Sequence, residues 1–137
     1  MEAAQALADL TEISSQIEAA VLADATGSVV ASTLADEERS AGFARAAAEL
    51  LAAADEAGRE GSERLIQVEA ALPEGSVFLV RDERHLVAAV TRPEPTVGLV
   101  FYDLKTCLRL VGEEPAKKPA RRPRKKEDEK GNADGEA

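Results

Sequence analysis

Three apolar runs between Arg64 and Thr91 constrain the fold more than any other feature of this sequence. Arg64–Leu72 alternates between apolar and polar residues, while Ser76–Arg81 and Arg84–Thr91 each contain a continuous apolar stretch. Both patterns predict β-strands, and only two or three residues separate one run from the next. Strands joined by such short connections run antiparallel, because a parallel return needs a crossover of about a dozen residues. The sequence therefore predicts an antiparallel meander of three strands.

A second pair of strands precedes the meander. Ala19–Asp24 and Ser28–Leu34 are apolar runs on either side of the tripeptide Ala25-Thr26-Gly27. Gly27 can adopt the positive φ that a tight turn often requires. The two runs are therefore predicted to form a β-hairpin.

Three further stretches have the periodicity of helices. Ala3–Glu18 carries Leu7, Leu10, Ile13 and Ile17 at spacings of three or four residues, which makes one apolar stripe. Asp36 is a suitable N-cap for a long alanine-rich helix that extends to about Ala57. Thr96 can cap a last helix that extends to about Val111, with Gly112 placed to end it. The predicted element order is α-β-β-α-β-β-β-α, and the fold class is α+β.

Composition and charge exclude several classes of function. Aromatic residues make up only 3% of the chain, so no stacking platform for bases is evident. Met1–Gly112 contains 9 basic and 19 acidic residues, a net charge of −10, and an acidic body repels polyanions such as DNA and RNA. The single cysteine, Cys107, excludes an internal disulfide. Neither a signal peptide nor a membrane span is apparent, so a cytoplasmic protein is expected.

Residues 113–137 differ in composition from the rest and are predicted to be a disordered charged tail that follows a folded domain at 1–112. Beyond Gly112 there is no Leu, Ile, Val or aromatic residue that could support a core. A basic run over 117–126 contains seven cations and no acid: Lys117, Lys118, Arg121, Arg122, Arg124, Lys125 and Lys126. Such a run can bind nucleic acid, anionic lipid or an acidic partner. The alternatives are a tail that only keeps the domain in solution, or one that folds back on the acidic body.

Motifs for catalysis and cofactor binding are missing from the sequence. It contains no GxxxxGK[ST] phosphate loop, no GxGxxG after a strand, no CxxC and no HExxH. His85 is the only histidine and begins a predicted strand, and Cys107 lies on the apolar side of the last helix, so both are expected to be structural. We therefore expect a protein that is not an enzyme and that has no catalytic residue, no metal site and no cofactor.

The first hairpin and the last two elements resemble those of the roadblock (dynein light chain) family, in its bacterial form. The hairpin Val21–Ser32 is an apolar strand that ends in Asp, turns through Gly and enters a second apolar strand. An alanine-rich helix follows, the strand His85–Val90 resembles the family's "hxLvv" strand, and Thr96–Val100 resembles its small-residue entry into the last helix. The resemblance covers Ala3–Val111. It implies a roadblock/profilin-like fold, with one five-stranded antiparallel sheet and helices on both faces.

The resemblance also implies a dimer, formed with a second copy or with a paralogous roadblock subunit. The long helix is built almost entirely of Ala and Leu on its apolar sides, and it exposes more apolar surface than one sheet face can cover. In the family, this helix and the strand after it meet their symmetry mates. The interface residues predicted on that basis are Phe43, Ala47, Leu50, Leu51, Ala54, Ile66 and Val68. The alternative is that the helix covers only the sheet of its own protomer.

Two functional hypotheses remain open from the sequence. The resemblance implies a non-enzymatic adaptor that binds and regulates a Ras-like small GTPase. The rival hypothesis is a dimer that associates with nucleic acid or another anionic surface through its basic tail. The first predicts a GTPase partner, whereas the second predicts binding to bulk DNA that weakens strongly as salt rises.

Overall fold

The computed structural model describes residues 1–58 and 66–113. Within these ranges the chain forms three helices and five strands in the predicted order. In chain order they are α1 (Ala3–Ile13), β1 (Ile17–Asp24), β2 (Val29–Ser32), α2 (Glu37–Ala57), β3 (Gln67–Leu72), β4 (Gly75–Arg81), β5 (His85–Thr91) and α3 (Val97–Gly112). The predicted tail, apart from Glu113, lies outside the described residues.

The five strands form one antiparallel sheet with the order β2-β1-β5-β4-β3. The hairpin β1–β2 and the meander β3–β4–β5 join through the pairing of β1 with β5. The predicted α+β class and the five-stranded antiparallel sheet are therefore confirmed. In the described part of the chain, β2 and β3 are the two edge strands.

Each face of the sheet carries its own core, because successive strand residues point to opposite faces. On β1, Ala20 and Leu22 are buried against α1 and α3, whereas Val21 and Ala23 are buried beneath α2. Because both faces are covered, β1 is continuously apolar from Ala19 to Ala23 and shows no alternation of polar and apolar residues there. Helices on both faces are what the resemblance implied.

Two acidic side chains fix the local geometry around the hairpin and the start of α2. Asp24 accepts hydrogen bonds from the Thr26 hydroxyl at 2.7 Å and from the Ser28 backbone N–H at 3.1 Å. These bonds, led by the one from Thr26, hold the pKa of Asp24 below its usual value. Gly27 closes the turn at a φ of +90°. Asp36 caps α2 by accepting from the N–H groups of Glu38 and Arg39, as predicted.

The first helix is shorter than predicted. The apolar spacing favoured a helix through Glu18, but α1 ends at Ile13 and β1 begins at Ile17. Ile17 is buried on the α1 and α3 side of the sheet, so its place in the apolar pattern reflects a strand and not the helix. Ile13 is 75% exposed, since the stripe of α1 that faces the core is Ala6, Leu7 and Leu10.

Candidate interaction surface

The outer edge of β3 is regular and unpaired within the described part of the chain. β3 pairs with β4 residue by residue, without a bulge, from Gln67 to Leu72. The N–H of Arg81 donates to the carbonyl of Ile66, so even-numbered residues of β3 share hydrogen bonds with β4. The backbone groups of Gln67, Glu69 and Ala71 therefore point away from the sheet. An edge of this kind can pair with another strand.

Exposed apolar side chains flank this edge. Leu72 is 60% exposed and Ile66 is 57% exposed, while Val68 is half-buried and packs against the α2 side of the core. Leu72 and Val68 lie on the same face of β3, because they are four residues apart in a strand. The sequence-based set of interface residues did not include Leu72, although the alternation through β3 predicts its position.

On α2, the predicted interface residues divide between the core and the surface. Leu50 is 42% exposed, and Phe43 and Ala54 are partly buried. Ala47 and Leu51 are only 4% and 1% exposed, since they pack on the sheet. These two belong to the core of the protomer, so they are not available to a partner. Ala46 and Ala53, which the sequence-based set did not include, are exposed one turn from Leu50.

The position of α2 leaves part of its sheet face open. The helix packs on β1, β2 and β5, whereas Val68 of β3 and Val77 of β4 are only partly buried on that side. An ion pair between Arg81 of β4 and Asp55 of α2 ties the end of the helix to the sheet. The exposed side of α2 and the outer part of β3 thus form one candidate interface, composed of Phe43, Ala46, Leu50, Ala53, Ala54, Val68 and Leu72.

The described residues show no catalytic constellation. No cluster of three His, Cys, Asp or Glu side chains suited to a metal ion occurs in residues 1–58 and 66–113. Burial, with a smaller contribution from the charge of Asp9, raises the pKa of the Cys107 thiol to about 11, so it is protonated at neutral pH and is a poor nucleophile. His85 begins β5, and its backbone N–H donates to Asp82 at 2.8 Å.

Two other predictions concern the tail and membranes. All seven cations predicted as an electrostatic contact, from Lys117 to Lys126, lie outside the described residues. Among the described helices, none is long and apolar enough to cross a membrane.

The family model for the Roadblock/LC7 domain matches residues 3–92, from the start of α1 to the end of β5. The chain belongs to the Roadblock/LC7 domain family. Domains of this family are generally non-enzymatic adaptors, and a role as an adaptor or regulator is the function that membership supports.

Solved structures of Roadblock/LC7 domains share the fold at low sequence identity. A Roadblock/LC7 domain from Streptomyces avermitilis is 19% identical, with a TM-score of 0.74, over 82% of this chain and 96% of that one. The gliding protein MglB from Thermus thermophilus is 17% identical, with a TM-score of 0.68, over 80% of this chain and 85% of that one.

Profilin IA from Acanthamoeba castellanii is 11% identical, with a TM-score of 0.56, over 80% of this chain and 97% of that one. The similarity agrees with the predicted roadblock/profilin-like fold. Comparison with curated proteins gave no match.

Proposed function

We propose that this Roadblock/LC7 protein is a dimeric, non-enzymatic adaptor that binds and regulates a Ras-like small GTPase. Family membership supports the adaptor role, and the fold that the chain shares with the gliding protein MglB supports a bacterial roadblock protein of that type. The dimer is carried by the regular edge of β3, which pairs with no further strand in the part of the chain that the structure describes and lies beside an exposed apolar side of α2. The GTPase partner is supported by family membership alone.

In the proposed dimer, the two β3 strands pair antiparallel across a two-fold axis. The free backbone groups of Glu69 and of one outward neighbour, Gln67 or Ala71, then find partners in the second copy, and two five-stranded sheets become one. The exposed side chains of Leu50 and Leu72 become buried on the α2 side of the joined sheet. Ala46 and Ala53 are small enough to let the two α2 helices approach closely.

The charge of Glu69 restricts how the two strands align. A two-fold axis through this residue would place two carboxylates directly opposite each other, which is unfavourable. We expect the axis to pass beside Val68 or Ala70, so that Glu69 faces Gln67 or Ala71 of the second strand. The partner is then a second copy or a paralogous subunit with the same open edge.

Recognition of the GTPase would occur through protein contacts and not through nucleotide. The sequence contains no phosphate loop, so the chain itself is expected not to bind GTP. The acidic domain favours a partner surface that is basic, and association should slow as salt rises.

The decisive experiment is an affinity purification from the native cell with the full chain as bait. Recovery of a Ras-like GTPase, followed by direct binding of the purified GTPase in its GDP or GTP-analogue state, is the expected result. Calorimetric titration of the chain alone with GTP should give no binding signal. Repeated recovery of no GTPase, or tight binding of GTP by the chain alone, would contradict the proposal.

A further inference from the structure

An apolar groove lies on the opposite face of the sheet from α2, between α1 and α3. It has a volume of about 170 Å³. Its apolar lining comes from both helices: Ala6, Leu10 and Ile13 on α1, and Tyr102, Cys107 and Leu110 on α3. The proposed pairing of β3 strands and α2 helices leaves this groove uncovered, because it is on the other side of the sheet.

Large apolar side chains stand exposed at the groove. Ile13 is 75% exposed and Tyr102 is 67% exposed, and they belong to opposite walls. Leu99, one helical turn before Tyr102, is 48% exposed. Exposed apolar side chains gathered around a concave surface are typical of a protein-binding site, and tyrosine adds a hydroxyl that remains solvated or hydrogen-bonded when its ring is covered.

Two carboxylates lie within the same groove. Asp9 of α1 accepts a hydrogen bond from Gln5 at 2.9 Å, and Asp103 of α3 has no hydrogen bond or ion pair with any other described residue. The nearest cations on α3, Lys105 and Arg109, line a different depression on the side toward β4. The groove therefore combines an apolar floor with two carboxylates, while the N-terminal ammonium of Met1 donates to the carbonyl of the lining residue Leu110 at 2.9 Å.

We propose that the groove between α1 and α3 is a docking site for an amphipathic helix with a basic flank, contributed by a partner protein. An apolar stripe on that helix would cover Leu10 and Leu110, while Lys or Arg beside the stripe would pair with Asp9 and Asp103. The span from Ala6 to Ile13 is about 10 Å, or two helical turns, by the rise of an α-helix. An apolar ridge inserted between two helices is a common mode of peptide recognition.

The basic run of this chain does not fit the groove as well as a partner helix does. Residues 117–126 carry cations that match the two carboxylates, but beyond Gly112 the sequence has no Leu, Ile, Val or aromatic residue to fill the apolar floor. The occupant of the groove is therefore a partner segment with both large apolar and basic side chains. Its docking requires neither the dimer nor the GTPase.

The test uses a fluorescent 14-residue Leu/Lys peptide with its leucines on one helical face, and the full-length chain. A peptide of identical composition with the leucines scattered serves as the ligand control. Affinity is measured by fluorescence anisotropy at physiological salt, and the site is mapped by amide chemical-shift changes. Tyr102→Ser and Asp103→Asn are the groove variants. Val30→Ser and Glu38→Gln are matched controls, since they alter an exposed apolar residue and an exposed acid elsewhere.

The amphipathic peptide is expected to shift amides of α1 and α3, and each groove variant should weaken binding about five- to tenfold, as loss of an interface contact does. The affinity of each control variant for the peptide should stay within about twofold of that of the original chain. Equal affinity of the scrambled peptide would overturn the proposal, as would shifts confined to α2 and β3. Weakening by Glu38→Gln equal to that by Asp103→Asn would also overturn it, because net charge alone would then explain binding.

One further outcome would show that the groove binds a second copy of this chain and not a partner protein. If Tyr102→Ser lowers the oligomeric state of the chain in sedimentation experiments, the groove is an interface between copies and the proposal is overturned. An unchanged oligomeric state is expected. Circular dichroism of each variant should match the original chain, because both substituted side chains extend from the surface of α3.

Discussion

The two edges of the sheet differ in length and in regularity. β2 has four residues, and its pairing with β1 slips between Leu22 and Ala23, which leaves a bulge. β3 has six residues and pairs with β4 without any slip. Short length and a bulge are the usual means by which proteins keep an edge strand from pairing with another chain. The difference indicates that association at β3 is permitted by this fold, whereas association at β2 is opposed.

Exposure of apolar side chains alone does not separate the two edges. Val30 on β2 is 45% exposed, close to the 42% of Leu50 on α2 and the 60% of Leu72 on β3. What separates them is the backbone. The outward N–H and C=O groups of β3 form a regular row and those of β2 do not. Substitutions that disturb this row should therefore show the largest difference between the two edges.

Glu69→Pro is expected to have the largest effect on the dimer. The N–H of Glu69 points away from β4, so proline leaves the pairing within the protomer intact, as it does on natural edge strands. It removes a central donor from the ladder between protomers, and the dimer dissociation constant should rise by about 100-fold or more. Sedimentation equilibrium measures the change. Glu69→Ala is the matched control, since it removes the charge and keeps the N–H.

Persistence of the dimer in Glu69→Pro, with an unchanged circular dichroism spectrum, would refute association through β3. Loss of the dimer in Glu69→Ala as well would show that the carboxylate, and not the backbone ladder, determines association.

Truncation of Leu51 and of Leu50 to alanine should have different effects on stability, because one lies on the buried side of α2 and the other on its exposed side. Leu51 is 1% exposed in the core, and its truncation should lower the free energy of unfolding by about 3 kcal/mol. Leu50 is exposed in the protomer, so its truncation should cost less than about 0.5 kcal/mol there. Urea unfolding in a monomeric Glu69→Pro background measures both values without a contribution from the dimer. Equal costs at the two positions would contradict the division between core and interface.

A charge at Leu50 should weaken the dimer, although less than loss of the ladder. Leu50→Asp places a carboxylate in the apolar contact between the helices, and about a 30-fold rise in the dissociation constant is expected for a central interface residue. Val30→Asp, at a similar exposure on β2, should change the constant by less than about twofold if β2 takes no part in association. Sedimentation velocity over a concentration series measures the dissociation constant of each variant. A larger effect of Val30→Asp than of Leu50→Asp would show that the interface is at the β2 edge.

Removal of residues 113–137 should have the smallest effect on association. The proposed interface contains no residue beyond Leu72, so a chain that ends at Gly112 should form the same dimer. Retention on DNA or anionic vesicles at low salt should fall with the loss of the seven cations between Lys117 and Lys126, and the difference should shrink at physiological salt. Weaker dimerisation of the shortened chain would show that the tail takes part in association.

Much of the fold could be predicted from the sequence because its signals are local. The Asp36 cap, the Gly27 turn and the alternation between Gln67 and Leu72 each depend on neighbouring residues, and the structure has them where the sequence indicated. The end of α1 was predicted wrongly. Ile13 and Ile17 continue the helical spacing, and nothing local reveals that the second isoleucine faces the core from a strand.

The residues of the candidate interface were harder to place from the sequence than the elements of the fold. α2 has one polar stripe on the side opposite the sheet, formed by Glu38, Arg45, Glu49 and Glu56. The rest of its surface is rich in alanine, so the sequence does not separate the side that meets the sheet from the side that carries Leu50. Leu50 and Leu51 are adjacent leucines with opposite environments, and only the packing of α2 on β1, β2 and β5 separates them. The regularity of one edge and the bulge in the other are likewise properties of strand pairing that no single run of sequence contains.

Amide hydrogen exchange at two protein concentrations tests association through β3 most directly. At a concentration well above the dimer dissociation constant, the outward N–H group of Glu69, together with that of Gln67 or Ala71, should exchange more slowly than at a concentration well below it, because these groups then donate to the second copy. The amides of β2 should exchange at the same rate at both concentrations. Concentration-independent exchange across β3, or protection that appears on β2 instead, would contradict the account.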